Sequence, residues 1–222
     1  MLTVDDLLKL KNTNTYGWFK TIAIAAEYGD QELLGHLDRV SHYAAIVAKG
    51  IGLTPNDQER IKMASLLHDV GKSVIPNEIL LQPRRLTPNE RKLVEQHTQF
   101  GHELLETLIQ VIDESKNMVD HQAFTMAKEI ALYHHENWDG TGYPKGLHKE
   151  QIPLHARIVR IVDAIDAMHN QRVYKQAWTW DQVLHEVQSQ KGKWFDPALV
   201  AWLMQHNDLL LGGSSRKSAR AE

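Results

Sequence analysis

Three times in this chain a residue suited to starting a helix is followed at once by proline: Thr54-Pro55-Asn56-Asp57, Thr87-Pro88-Asn89-Glu90 and Asp196-Pro197. A hydroxyl or carboxylate at the N-cap accepts a bond from a free N–H of the first turn. Proline at the next position loses nothing, because its missing N–H has no partner there. A carboxylate at the third helical position completes the pattern in the first two cases. Residues on one helical face then recur with the 3.6-residue period: Ile61, Ala64, Ser65, Leu67 and His68 after the first start, Leu93, His97, Gly101 and Leu104 after the second. Segments 31–50, 57–69, 89–109, 122–136, 155–169, 180–190 and 197–206 all read as helices. "IVRIVDAIDAM" is β-branched enough to suggest a strand, but the spacing of Ile158, Ile161, Val162 and Ile165, with its alanines, favours a helix. Gly, Pro and polar residues mark loops at 70–87, 110–121 and 137–154. The expectation is an all-α bundle with one long functional loop.

Composition narrows the class further. A chain of 222 residues can bury a full core without staples. With 42% apolar and 24% charged residues it reads as an ordinary globular protein. A net charge of −3 gives no global field for a nucleic acid polymer or a membrane surface. There is no cysteine, so neither a disulfide framework nor a thiolate metal site is available. No apolar run is long enough for a membrane span, and "MLTVDDLLKL" lacks the features of a secretory signal, so the expected location is cytoplasmic. The tail "GGSSRKSARAE" from Gly212 is small and polar, and it is expected to be disordered. Trp178, Trp180, Trp194 and Trp202 are expected in the core.

The unusual number is 13 histidines. In "LLHDVGK", His68 and Asp69 are adjacent and Lys72 follows three residues later. An imidazole and a neighbouring carboxylate can reach one cation, and the second carboxylate oxygen can bridge to another. Glu32 and His36, four apart, share a helical face. His97 lies on the second capped helix, with Gly101 one turn on. His134 and His135 stand about 100° apart on a regular helix, a geometry that lets them flank one site or serve two. Asp163 sits in an apolar helix, where an unpaired carboxylate is costly. Taken alone it fits an ion pair with Arg157 or Arg160. Taken together these groups make a nitrogen and oxygen donor set for metal inside a helical bundle.

These residues carry a resemblance. "HDVGK" resembles the signature of the HD metal-dependent phosphohydrolases. "HHENWDGTGYP", residues 134–144, resembles the longer signature of the HD-GYP subfamily, which hydrolyses the bacterial messenger cyclic di-GMP. The series runs in order from "GDQELLGHLDRV" to "FDPALV", residues 29–200. The resemblance implies an HD-domain helical bundle over 29–211, preceded by a short helical extension at 1–28, with the tail from 212. It implies two or three divalent ions, iron or manganese first, held by His36, His68, Asp69, His97, His134, His135 and Asp163, with Asp69 bridging and Glu32 supporting a third ion. His68, Asp69 and Lys72 are then the catalytic group. Lys72 also touches phosphate, and Tyr143, Arg172 and Lys175 touch the substrate. The implied activity is hydrolysis of cyclic di-GMP to pGpG and possibly GMP. The alternatives are a catalytically weak cyclic di-GMP-binding or protein-interaction module, and a phosphohydrolase of another, hybrid cyclic dinucleotide. The GYP loop is expected to meet a protein partner such as a cyclic di-GMP synthase domain or a regulatory subunit. Val173 departs from the usual proline, and Gln82 and Arg84 stand where relatives often have Lys and Gly. These differences bear on the pocket edge rather than on the metal.

Overall fold

A computed structural model describes residues 15–26, 33–82, 84–114, 120–170 and 177–211. Glu32, Arg172, Lys175 and the tail from 212 lie outside the described residues. The elements are helices α1 (Thr15–Ala26), α2 (Leu33–Gly50), α3 (Pro55–Ala64), α4 (Asn77–Leu80), α5 (Pro88–Glu95), α6 (His97–Glu114), α7 (His121–Tyr133), α8 (Leu154–His169), α9 (Trp180–Ser189) and α10 (Pro197–His206). Short 3₁₀ turns join them at Ser65–Leu67, Val70–Val74, Lys149–Gln151 and Asn207–Leu209. No strand occurs among the described residues, so the all-α expectation holds.

The helix starts form as their chemistry dictates. Thr54 accepts the Asp57 N–H. Thr87 and Glu90 close a capping box, and Asp196 accepts the Ala198 N–H at 2.8 Å. Two further starts carry similar caps: Thr179 with Gln182 opens α9 as a capping box, and Asp120 accepts the N–H groups of Gln122 and Ala123 at α7.

Leu37, Val40, Ala44 and Val47 of α2, Ile61 and Ala64 of α3, Leu105 of α6, Ala127 and Ile130 of α7, and Ile158, Ile161, Val162 and Ile165 of α8 form one buried core. Each large aliphatic side chain buried this way contributes roughly 1.5–3 kcal/mol. Helix α1 belongs to that core. Phe19 and Ala23 are fully buried, and the Phe19 ring lies 4.4 Å from Phe124.

The structure departs from the expected limits in two ways: α4 lies within the stretch 70–87 and α6 runs on to Glu114 into the stretch 110–121, both expected as loop, and three expected helices break where the centre lies. The helix read as 57–69 leaves α geometry after Ala64 and tightens into the 3₁₀ turn Ser65–Leu67, so His68 and Asp69 follow a turn. The helix read as 89–109 breaks at Gln96, whose N–H reaches back to the carbonyls of Leu93 and Val94, and His97 opens a new helix. The helix read as 122–136 stops at Tyr133, leaving His134 as its C-cap.

One close approach fixes the depth of the centre. A Cβ on Gly71 would stand 1.9 Å from the His97 carbonyl oxygen and 2.4 Å from the Gly101 nitrogen. Only hydrogen fits there, so the turn carrying Asp69 presses against the start of α6. Of the four tryptophans expected in the core, Trp178, Trp180 and Trp202 pack against it half-buried, and Trp194 is 40% exposed. It sits on the turn between α9 and α10, where its ring lies beside the Arg160 guanidinium and its carbonyl accepts the Trp138 N–H.

Candidate metal centre

The start of α2, the turn after α3, the start of α6, the end of α7 and the middle of α8 come together around Asp69. One group of ligand atoms comes from Asp69, His97, His134 and His135, and a second from His36, His68 and Asp69. Within each group the atoms lie within 4.8 Å of one another, and Asp69 belongs to both. Asp69 Oδ1 stands 3.2 Å from His97 Nε2 and 3.6 Å from His134 Nε2. Its Oδ2 stands 3.2 Å from His68 Nε2. Asp163 flanks the second group, with Oδ1 3.7 Å from His36 Nε2 and 3.9 Å from His68 Nε2. Lys72, one 3₁₀ turn after Asp69, donates Nζ to Asp69 Oδ2.

Both histidines of the adjacent pair turn toward one group. His134 is the C-cap of α7, and the chain leaves the helix as it passes to His135. Their rings stand 4.1 Å apart.

The outward nitrogen of most of these rings is tied down. His68 Nδ1 bonds the Ser65 carbonyl at 2.8 Å, His97 Nδ1 the Val94 carbonyl at 2.6 Å, and His134 Nδ1 the Ile130 carbonyl at 3.0 Å. Each carbonyl belongs to the preceding turn, so local geometry aims the ring. A carbonyl can only accept, so Nδ1 carries the proton and Nε2 presents its lone pair inward. His36 Nδ1 reaches a side chain instead, Asp166 Oδ2 at 2.8 Å. Asp166 is itself held by Arg39 Nε at 2.5 Å and by Asn170 Nδ2 at 2.9 Å. The sequence reading passed over Asp166. Its signal was the three-residue step from Asp163 in "DAIDAM", which puts both carboxylates on one face of α8.

The protonation states suit a cation. Burial holds His134 down at about 4, with the charges of His68 and His97 helping and Asp69 opposing. Burial likewise holds His135 well below its ordinary range. Burial alone would raise Asp69, but the charge of Lys72 beside it keeps it well below the usual carboxylate range. His134 and His135 are thus held neutral beside an ionised Asp69, the forms that ligate metal. Asp69 Oδ1 is buried without a hydrogen-bond partner among the described residues. An ionised oxygen left that way is costly unless a cation meets it. The donor set therefore fits divalent metal.

Tyr143 lies beside this group, its ring stacked on His135 at 4.8 Å and 22°. Burial raises its hydroxyl well above the ordinary value, so the ring stays neutral. The 137–154 loop that carries it is braced by Glu136, which is 1% exposed. Glu136 accepts the N–H of Lys145 at 2.7 Å and of Leu147 at 3.1 Å. Burial raises its pKa, against the backbone bonds of Lys145, Leu147 and Gly146. Gly142 allows the loop to fold back, since a Cβ there would meet Asn137 N at 2.3 Å and His135 O at 2.5 Å. The role of Glu136 was also absent from the sequence reading. The carboxylate directly after two histidines drew no assignment because its partners lie nine to eleven residues further on. Arg157, a possible partner for Asp163, pairs instead with Asp196 at 2.5 Å.

Comparison with known proteins places these features in a family. The HD domain model matches residues 20–199. The cyclic di-GMP phosphodiesterase response regulator RpfG of Xanthomonas campestris is 40% identical over 202 residues, covering 90% of this chain and 50% of that protein. The 3'3'-cGAMP-specific phosphodiesterase 2 of Vibrio cholerae is 39% identical over 187 residues, covering 84% of this chain and 34% of that protein. This chain thus spans half or less of these relatives. Among solved structures, an HDG"Y"P protein from Bdellovibrio bacteriovorus superposes with a TM-score of 0.59 at 21% identity, covering 95% of this chain and 58% of that one. That likeness supports the fold.

Proposed function

The chain belongs to the HD domain family, and on that premise we propose that it is a metal-dependent phosphodiesterase that opens cyclic di-GMP to pGpG, and possibly carries it on to GMP. The observation that carries the reading is Asp69, whose carboxylate belongs to both donor groups. We assign His36, His68, Asp69, His97, His134, His135 and Asp163 as metal ligands, with Asp69 as the bridge and iron or manganese as the ions. Glu32 as support for a third ion, and Arg172 and Lys175 as substrate contacts, rest on the sequence resemblance alone. Divalent ions bound there supply an acidified water as nucleophile and neutralise charge on the phosphoryl oxygens.

The chain's own groups do the remaining work. Nδ1 bonds to carbonyls and to Asp166 fix His36, His68, His97 and His134, so these rings need no reorganisation as charge develops. Lys72, at the partly open side of Asp69, supplies a point charge to the phosphate. Tyr143 offers a neutral ring face beside His135 for a base or sugar. No protein nucleophile is required. The exposed residues of the GYP loop, Asp139, Thr141 and Pro144 to Gly146, are the proposed contact for a protein partner. A cytoplasmic location accords with the substrate. Hybrid cyclic GMP–AMP is a second reading, favoured by the 39% identity to the V. cholerae protein.

The test incubates anaerobically prepared, manganese- or iron-loaded protein with cyclic di-GMP and follows pGpG and GMP by chromatography. Turnover that His68→Ala abolishes is expected. Protein that binds the dinucleotide without cleaving it, or activity that survives His68→Ala, refutes the assignment.

A further inference from the structure

Arg160 sits on α8 one turn before Asp163, on the side of the helix that faces the GYP loop. Its Nε and Nη2 both donate to Asn137 Oδ1, at 3.2 and 2.9 Å, and Nη1 makes no hydrogen bond among the described residues. The guanidinium lies 5.6 Å from the Trp194 ring and 5.5 Å from the Phe195 ring. The other two half-buried arginines of this region each have a carboxylate at 2.5 Å, Arg39 with Asp166 and Arg157 with Asp196. Arg160 makes no ion pair of that kind among the described residues, and Asp163, one turn on, acts on it through its field alone.

An arginine keeps its charge in such a place. Burial works against that charge, while Asp163 and Tyr143 favour it. The two aromatic rings stabilise the cation and keep water from one side of it. The fork is therefore desolvated in advance, held in orientation by Asn137, and short of an anion. Asn137 follows His134, His135 and Glu136 directly, so the charge is anchored to the strip that carries two imidazoles of the centre. A cyclic dinucleotide carries two phosphates. Lys72 and the donor groups around Asp69 account for the one being cleaved.

We infer that Arg160 is a substrate-binding residue that takes the second, uncleaved phosphate of the cyclic dinucleotide. The inference rests on the phosphodiesterase reading and extends it. Asn137, Trp194 and Phe195 are its positioning groups. The phosphate replaces the missing carboxylate, and a charge-assisted bond of this kind is among the stronger polar contacts a site can make.

The test compares wild type, Arg160→Ala, Arg160→Lys and Asn137→Ala in steady-state kinetics of the manganese-loaded chain on cyclic di-GMP. It adds calorimetric binding of cyclic di-GMP and cyclic di-AMP to the metal-stripped chain. Loss of a charged contact predicts a KM about tenfold or more higher in Arg160→Ala. The change in kcat is expected to be much smaller, and Arg160→Lys is expected to recover most of the KM. Affinity falls alike for both dinucleotides. An Arg160→Ala effect matched by Asn137→Ala and not rescued by lysine means that Arg160 only braces the loop, and overturns the inference. A loss confined to the guanine ligand overturns the phosphate assignment. Where Arg160→Ala does not fold, Arg160→Gln removes the charge with less change in shape and carries the same comparison. Wild type that neither binds nor cleaves any cyclic dinucleotide sinks the functional reading itself. Wild type that does both, beside an Arg160→Ala that is unaltered, sinks only the role of Arg160.

Discussion

The imidazole cluster and the GYP loop lie side by side and are held by different forces. The cluster is built from helix ends and turns set against the body of α8. His68, His97 and His134 are aimed by a carbonyl one turn back and His36 by Asp166, and the turn carrying Asp69 is driven against α6 by the contact at Gly71. The loop has no helix of its own beyond the turn Lys149–Gln151. It hangs on the carboxylate of Glu136, on the Asp139 bonds to Thr141, and on Trp138 and Asp139 N–H groups that reach the carbonyls of Trp194 and Lys193. The first region is fixed by packing and local geometry. The second is fixed by a few polar bonds across sequence distance. Damage to the first should therefore remove the chemistry, and damage to the second should degrade it.

The largest effect is expected from Asp69→Ala, which removes an oxygen from both donor groups. Turnover should fall to background with metal content reduced. Residual activity within tenfold of wild type would break the contrast at its root.

Next comes the pH dependence of the metal-stripped chain. His134 sits at about 4 when folded, against an ordinary 6.5. The unfolded chain therefore takes up a proton that the folded chain refuses between those values. Stability is complete above about pH 6.5 and is lost as pH falls toward 4, by on the order of 3 kcal/mol for this group. His135 adds in the same direction. Urea midpoints measured across that range should rise with pH and then level off. A flat profile would mean that the rings are not buried neutral.

Asp166→Asn then probes the bond that orients His36. Metal affinity should weaken roughly 10–100-fold, read by competition with a chelating dye, while α-helical content is unchanged. An unaltered affinity would show that His36 needs no support.

The smallest of the four is Glu136→Gln in the loop. It trades a charged double acceptor for a neutral group with one acceptor oxygen. About a tenfold loss in kcat/KM is expected, the scale of one or two weakened charged bonds, at constant metal content. A loss of metal equal to that of Asp69→Ala would erase the distinction between the two regions.

The same distinction governs how far the sequence could be read. The helix starts at Thr54, Thr87 and Asp196 were legible because a cap is a local device, and so was the placement of "IVRIVDAIDAM" on a helix. The gathering of His36, His68, His97, His134, His135 and Asp163 around Asp69 was legible from residue types and motif order. The breaks at Ala64, Gln96 and Tyr133 were not. They arise where the chain must turn a ring inward, and tertiary demand overrides a continuous 3.6-residue pattern there. The partners of Glu136 and Asp166 were hidden because a hydrogen bond to a backbone N–H many residues away leaves no periodic trace. Trp194 was misplaced in the core because an aromatic residue covering an arginine looks, in sequence, like one covering a helix.

Everything in the functional account passes through the sharing of Asp69 between two cation positions. The most direct measurement is the metal content of the chain reconstituted with manganese or iron, taken by mass spectrometry on wild type and Asp69→Ala. The account predicts at least two ions per wild-type chain and a loss of at least one in the variant. A single ion in wild type, or a variant that keeps its full complement, would contradict it.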